Sequence, residues 1–279
     1  MHNGHAQPVG SLLREWRQRR RMSQLELACE ADISTRHLSF VETGRSTPSR
    51  VMLLQLAERL QVPLRERNVL LVAAGYAPVF AERSLDDPAL KAARAAIDLV
   101  LAGHEPWPAL AVDRHWTLVA SNAAVAPLLE GVDPHLLAPP VNVLRLSLHP
   151  EGLAPRIANL PEWREHLLAR LRHDVDVSAD PGLIDLMAEL RAYPCDRPAA
   201  GAGARASARG EHEPGGMIVP LQLATRDGLL SFLSTTTVFG TPLDVTLSEL
   251  AIESFFPVDA ATAGRLRRSA GPGAAGSGA

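Results

Sequence analysis

Hydrophobic residues recur every three or four positions along the first 75 residues, which predicts a run of short amphipathic helices. The predicted helices cover residues 11–21, 24–30, 34–43, 47–60 and 63–74. In the fourth of them, Leu53, Ala57 and Leu60 repeat at i, i+4 and i+7 and define one buried face. Gly44 supplies a left-handed helix stop, and Gly75 ends the fifth helix. This pattern predicts an all-α head.

Two of these helices are delimited by capping residues and form a helix-turn-helix unit. Ser23 is an N-cap, and Glu26 three residues later completes a capping box. Ser34 caps the next helix, on which Leu38 and Val41 face inward. Two capped helices joined by a short turn are the unit whose second helix enters the DNA major groove.

After residue 88 the pattern changes to short apolar runs that alternate with helical stretches. Helices are predicted at 89–102, 123–129, 142–149, 158–173 and 180–192, with Asn122 as the N-cap of the second. Strands are predicted at 109–112, 117–120, 217–224, 229–239 and 250–256, and the first four form two hairpins. Two hairpins that enclose a block of helices predict an α+β domain with an antiparallel sheet.

The sequence therefore divides into a basic head and an acidic body. We predict a DNA-binding domain at 1–78, a linker at 79–88, a second domain at 89–262 with a mobile loop at 195–215, and a disordered tail at 263–279. Residues 1–78 carry eleven arginines and seven acidic residues, whereas the remainder carries seventeen basic and twenty-four acidic residues. A basic module on an acidic body suits a phosphate-binding head with a separate sensor.

Composition excludes several other classes of protein. A chain of 279 residues is long enough for two domains with their own cores. It has no apolar run of about 18 residues and no signal peptide, so we expect a cytoplasmic protein without a membrane span. Cys29 and Cys195 have no CxxC spacing, which predicts reduced thiols. Catalytic motifs are absent and the ten histidines show no ligand spacing, so we expect no enzyme, cofactor or metal.

The head resembles the XRE family of bacterial and phage-repressor-like helix-turn-helix proteins. SQLELA is followed by IS, by LS and ETG, and then by Arg45 and Pro48, although Asp32 stands where the family usually has Gly. The resemblance implies a repressor-like fold over the first quarter of the chain. It also implies an ion pair between Arg17 and Glu42, which match the positions of a paired Arg and Glu in XRE relatives.

The second domain resembles the MmyB-like ligand-binding domain over residues 88–257. The segments that carry the resemblance are VASNAA, PPVNVLRL, LHPEGL, PEWREHLL and TTTVFGTPLDVTLSELAIESFFP. Asn122-Ala123-Ala124 also stands after a strand, where PAS domains carry Asn-x-Ala. The resemblance implies a PAS-like fold with a pocket for a fatty acid or a similar apolar molecule.

Candidate DNA-binding residues lie on and beside the second helix of the motif; they are Gln24, Thr35, Arg36, Ser39, Phe40 and Arg45. Arg36 has the geometry to bind guanine O6 and N7, and Arg45 can clamp a phosphate. Thr35 and Ser39 can bond a base or a phosphate. Phe40 either contacts a thymine methyl group or turns into the helical core. Gln24 matches a residue that grips phosphate or a base edge in XRE relatives.

Candidate ligand-binding residues are Asn142, Arg145, His149 and Trp163. Arg145 lies among apolar residues and either anchors a ligand carboxylate or is solvated. Asn142 is a candidate N-cap as well as a ligand contact, while Trp163 lines a pocket or packs in the core.

Together these features predict a homodimeric transcription regulator that binds a double-stranded DNA operator and senses a small apolar ligand such as a fatty acid. The alternative is a DNA-bound adaptor whose second domain recruits a protein partner without a small molecule.

Overall fold

The computed structural model describes residues 7–195, 219–240 and 244–269, which form two compact units. The first unit consists of the described part of Met1–Ser84, together with Asp176–Ser178 and the described part of Thr241–Ser248. The second consists of the described parts of Leu85–Val175, Ala179–Gly240 and Glu249–Ala279. The predicted mobile loop lies outside the described residues except for Cys195.

Between residues 7 and 84 the first unit contains five α-helices, as the hydrophobic pattern predicts. They are α1 (Val9–Arg19), α2 (Gln24–Glu30), α3 (Thr35–Glu42), α4 (Arg50–Arg59) and α5 (Leu64–Ala73). Leu13, Leu27, Leu38, Leu53 and Leu71 are all fully buried and belong to one hydrophobic core. Each helix therefore contributes to the same core, which confirms the all-α head.

The predicted capping residues define α2 and α3. The Ser23 hydroxyl accepts a hydrogen bond from the Glu26 backbone, and the Glu26 carboxylate accepts one from the Ser23 backbone. Asp32 occupies the turn with φ +53°, a left-handed conformation that Asp tolerates better than most residues. The prediction for α4 was wrong at its start, because Ser49 caps the helix and Pro48 lies outside it.

The second unit is an α+β domain built on one antiparallel sheet. Its strands are β1 (Ala109–Val112), β2 (Leu118–Ser121), β3 (Leu221–Thr225), β4 (Gly228–Val238) and β5 (Ala251–Pro257), in the order β2-β1-β5-β4-β3. Its α-helices are α6 (Lys91–Gly103), α7 (Pro134–Leu137), α8 (Val143–Leu148), α9 (Leu160–Ser178), α10 (Pro181–Ala192) and, after β5, α12 (Ala260–Ser269). The sheet thus has both predicted hairpins, with β5 between them.

One helix prediction in this domain and the predicted start of the tail were wrong. The segment predicted as a helix at 123–129 contains only a 3₁₀ turn at Ala126–Leu129, and Asn122 caps no helix there. Instead Asn122 is buried and bonds three backbone groups, accepting from Ala109 N and donating to the carbonyls of Leu101 and Trp107. The predicted tail also begins too early, because α12 extends to Ser269 and buries Leu266.

The connection between β4 and β5 belongs partly to the first unit. Its short helix α11 (Val245–Ser248) packs on α5, and Asp244 forms an ion pair of 2.9 Å with Arg83. The backbone amide of Val245 donates to the Ala81 carbonyl. The predicted boundary at the linker therefore leaves out part of the first unit, because this unit also contains residues between β4 and β5.

Candidate DNA-binding surface and ligand-binding cavity

Helix α3 presents a polar side to solvent because its apolar side is locked into the core. Ser34 caps the helix by accepting from the His37 amide at 3.1 Å. Leu38 and Val41 are fully buried, whereas Arg36 is exposed and Ser39 is half-buried. The predicted DNA-contacting residues of this helix therefore do share one accessible side, with Thr35 half-buried at the first turn.

Phe40 lies between two arginines on that side. The Cζ atoms of Arg36 and Arg45 lie 5.3 Å and 5.9 Å from the centroid of its ring. The backbone amide of Arg45 also donates to the Phe40 carbonyl at 2.8 Å. Phe40 is half-buried and stands outside the core cluster of the head. Phe40 therefore does not occupy the helical core, which was one of the two alternatives for this residue.

A buried ion pair holds α1 and α3 together behind this surface. Arg17 donates to both carboxylate oxygens of Glu42, at 2.7 Å and 2.9 Å, which confirms the predicted pair. Gln24 Nε2 donates to Glu42 Oε2 at 2.8 Å, so the amide of this candidate DNA contact is held at the start of α2. The hydrogen bond to Glu42 raises the pKa of Arg17 above its usual value, and the guanidinium stays charged.

The second domain has a small, partly open apolar cavity between its sheet and its helices. The cavity volume is about 100 Å³, and its wall includes Trp116, Leu144, Trp163, Leu223 and Phe232. Ser147 also contributes to the wall, where its hydroxyl accepts a 3.0 Å hydrogen bond from the indole of Trp163. A largely apolar wall with few polar groups is the usual composition of a small-molecule site.

One ion pair, Arg170 with Glu253, forms the charged part of this wall. The two distances between the guanidinium and the carboxylate are 2.6 Å and 3.0 Å, and Thr236 bonds both partners at 2.8 Å. The Arg170 guanidinium also lies 4.8 Å from the centroid of the Trp116 ring. The Glu253 side chain is only 4% exposed, so the pair brings two complementary charges to an otherwise apolar wall.

Two family models match the chain. Residues 13–67 match the helix-turn-helix model, and residues 93–268 match the model of the MmyB-like transcription regulator ligand binding domain. The second match covers more than half of the sequence. The chain belongs to the MmyB-like transcription regulators. No curated protein matches it.

The MmyB-like regulator is therefore a DNA-binding transcription regulator with a ligand-binding domain, and both matched families are regulator domains rather than enzymes. The first match lies within the first unit, and the second covers most of the second unit together with Asp176–Ser178 and residues 244–248 of the first. Among the helices that the structure describes, none is long and apolar enough to cross a membrane.

Of the four predicted ligand-binding residues, only Trp163 lines the cavity of the MmyB-like domain. Asn142 caps α8 by accepting from the amides of Leu144 and Arg145, and its own amide donates to the His115 carbonyl. Arg145 binds the Glu189 carboxylate at 2.8 Å, and this contact lowers the pKa of Glu189. Asn142, Arg145 and His149 thus lie together around α8 but outside the cavity wall.

A second, larger depression in the MmyB-like domain has a different character. This open cleft of about 900 Å³ has a wall with several charged residues, including Arg156, Arg265 and Glu105. Arg156 donates to the carbonyls of Leu128, Glu130 and Ala224, and Arg265 donates to the Leu229 carbonyl. These guanidinium groups hold the surrounding backbone, and the wall of the cleft combines them with apolar residues such as Leu128 and Leu266.

The sequence pattern missed the residues that give the cavity its polarity. The sequence pattern indicates that Arg170 is a solvated arginine of an amphipathic helix. It shows Glu253 only as a single acidic residue in an apolar strand. Glu253 was the signal that could have revealed the pair, because a carboxylate at a buried strand position requires a charged or hydrogen-bonding partner. Which arginine supplies the partner depends on the packing of α9 against the sheet.

Proposed function

We propose that this protein is a homodimeric regulator that reads its operator with α3 and changes operator affinity when a small apolar ligand, such as a fatty acid, enters the second domain. The observation that carries the proposal is the pairing of an exposed, arginine-bearing α3 with an apolar cavity that contains a single ion pair. The predicted PAS-like fold is supported by the two hairpins that flank the helices α7–α10.

The head would bind DNA through two kinds of contact. Arg36 is placed to donate to guanine, with Ser39 and Thr35 as further contacts, and such a bidentate contact contributes about 1–3 kcal/mol of discrimination. Arg45 and Gln24 would fix the register on the phosphate backbone. One head offers few base contacts, so we infer that two copies bind the half-sites of a palindromic operator.

The size of the cavity suggests how ligand and DNA binding are coupled. Small-molecule sites usually enclose about 300–1,000 Å³, whereas this cavity encloses about 100 Å³. An alkyl chain would therefore have to displace wall residues such as Phe232 and Leu144. A ligand that binds the widened form better shifts the protein towards that form, which is the condition for an effect on operator affinity.

The ligand-binding part of the proposal is tested with fatty acids of increasing chain length and the full protein. Trp116 and Trp163 both line the cavity, so binding should change intrinsic fluorescence in a saturable manner. The substitution Leu223→Phe fills the cavity and should abolish this change, whereas Leu99→Phe at an exposed position of α6 should leave it intact. Operator affinity is then measured with and without the ligand.

Two results would overturn the proposal. One is a fluorescence response that Leu223→Phe leaves unchanged while the variant remains folded. The other is an operator affinity that stays the same across all ligands that bind. Mass spectrometry of an organic extract of the purified protein identifies any molecule that occupies the cavity beforehand. A protein without ligand response that still binds its operator would favour the adaptor alternative.

A further inference from the structure

Two histidines and a glutamate meet beyond the C-terminal end of α8. His135 lies in α7, His149 follows the last residue of α8, and Glu151 lies two residues further on. The Glu151 Oε2 atom is 3.9 Å from His135 Nε2 and 3.9 Å from His149 Nδ1. One potential ligand atom from each of the three side chains lies within 4.8 Å of the other two.

A fourth residue orients His135 in this cluster. The Asp133 carboxylate accepts from the His135 backbone amide at 3.0 Å and lies 2.8 Å from the ring atom Nδ1. A proton on Nδ1 satisfies this contact and leaves the lone pair of Nε2 directed towards Glu151. Histidines that bind metals usually donate their second ring nitrogen to a carboxylate or carbonyl in this way.

The position of His149 is also fixed by short-range contacts. Its Nδ1 atom accepts from the Glu151 backbone amide at 3.1 Å, so this nitrogen carries a lone pair on the side of the glutamate. The Asp133 amide donates to the Glu151 carbonyl at 3.0 Å, which holds the segment before α7 against the segment after α8. The backbone thus brings the donor groups together.

We propose that His135, His149 and Glu151 form a binding site for a divalent transition metal, with Zn²⁺ as the expected ion and Asp133 as the residue that orients His135. Two imidazoles and one carboxylate suit Zn²⁺ and leave a fourth position for water. Zinc–ligand bonds of about 2.0–2.2 Å place tetrahedral ligands roughly 3.4 Å apart. The two observed distances of 3.9 Å are close to this value. When the metal binds, the Nδ1 atom of His149 gives up its hydrogen bond from the Glu151 amide and binds the metal instead.

A bound metal would join α7 to the end of α8, and Leu144 and Leu146 of α8 line the apolar cavity. The site is accessible from solvent, because His135 and Glu151 are exposed and His149 is half-buried. Metal binding is therefore a second signal that acts on this domain, at a site separate from that of the apolar ligand. It stabilises the folded domain by mass action, since the unfolded chain does not hold these donors together.

The site is tested by equilibrium dialysis of the full, untagged protein against Zn²⁺, with the bound metal measured by atomic spectroscopy. We expect one saturable equivalent per chain that is lost in His135→Gln and His149→Gln. His173→Gln, at an exposed position of α9, should retain it and controls for the number of histidines. Asp133→Asn should weaken binding by about 10–100-fold.

Two further measurements make the result decisive. Co²⁺ added in place of Zn²⁺ should give the visible absorption of a low-coordinate histidine site, and Zn²⁺ should raise the Tm of the wild type but not of His135→Gln. If His135→Gln fails to fold, Glu151→Gln replaces an exposed side chain and tests the same site. Wild-type stoichiometry in both His135→Gln and Glu151→Gln, or no saturable Zn²⁺ binding by the wild type, would overturn the proposal.

Discussion

The guanidinium of Arg36 lies over the ring of Phe40, with its Cζ atom 5.3 Å from the ring centroid. Arg45 approaches the same ring at 5.9 Å, although it lies beyond the end of α3. An aromatic ring attracts cations through its quadrupole, and each exposed contact contributes about 0.5–1 kcal/mol. Phe40 therefore orders both arginines on one surface, where Arg36 is proposed to read a base and Arg45 to bind a phosphate.

The substitution Phe40→Leu should weaken operator binding because it removes both cation–π contacts. Together they correspond to about 1–2 kcal/mol, or roughly 5–30-fold in Kd. Phe40→Tyr keeps the aromatic face and should bind within a factor of about two of the wild type. Fluorescence anisotropy with a selected operator measures both variants. A loss confined to one thymine position would instead indicate that the ring contacts a methyl group.

The buried carboxylate of Glu42 should be the most sensitive charged position of the head. Its side chain is 1% exposed, and it accepts from both Arg17 and Gln24. Removal of one partner from such a pair leaves a charge buried without compensation and costs on the order of 3–5 kcal/mol. Glu42→Ala should therefore lower the free energy of unfolding by several kcal/mol in urea denaturation.

Two further variants separate this effect from a general loss of charge. Glu30→Gln, at an exposed position near the end of α2, should change stability little. The double substitution Arg17→Met with Glu42→Leu should recover much of the loss, because apolar side chains of similar size replace the pair. Equal stability of Glu42→Ala and Glu30→Gln would contradict the role of the pair.

Much of the head was predictable from sequence because its determinants are local. The capping box of Ser23 and the stop at Gly44 lie within a few residues of the groups they satisfy, and the structure has both. Pro48 was misassigned because proline is compatible with the first turn of a helix, and the neighbouring Ser49 is the better cap.

The sites of the second domain depend on packing that local patterns do not encode. Arg170 and Glu253 are 83 residues apart and meet only when α9 packs on β5. Asn122 follows a strand and was predicted to cap a helix. Its side-chain amide instead forms hydrogen bonds with three backbone groups that are distant in sequence. His135 and His149 have no metal-binding spacing, and the pairing of the residue 133 and residue 151 backbones brings them together.

Glu253→Gln should increase the affinity for a ligand that carries a carboxylate. In the wild type, Glu253 occupies both terminal nitrogens of the Arg170 guanidinium. A neutral amide leaves the guanidinium free to bind the ligand instead, while Arg170→Gln should remove any preference for the acid. Titration of the acid and the matching alcohol, followed by tryptophan fluorescence, compares the three proteins. Unchanged selectivity in both variants would exclude Arg170 as the carboxylate contact.

The stability of the second domain should fall in mildly acidic solution through His166. Burial lowers the pKa of this imidazole, with a further contribution from the charge of Arg170, while its ring stacks on Trp163. The unfolded chain takes up the proton near pH 6.5, above the folded pKa. Because the unfolded state then binds more protons, stability is full above that pH and declines as the pH falls towards the folded pKa.

His166→Gln should remove this contribution to the pH dependence. Between about pH 7.5 and about pH 5.5, the Tm of the wild type should therefore fall further than that of the variant, as followed by differential scanning calorimetry. His173→Gln serves as the control, since that side chain is exposed on the same helix. Parallel pH profiles for the wild type and His166→Gln would show that this imidazole is not responsible.

Selection from a pool of random duplexes at low ionic strength tests most directly whether α3 reads DNA. The full wild-type protein should enrich one palindromic sequence, and Arg36→Ala should lose preference at a guanine in each half-site, at a cost of about 1–3 kcal/mol. Arg45→Ala should keep the sequence preference, weaken all duplexes alike and reduce the salt slope by about one. Enrichment of no sequence by the wild type, or of the same sequence with the same strength by Arg36→Ala, would contradict the account.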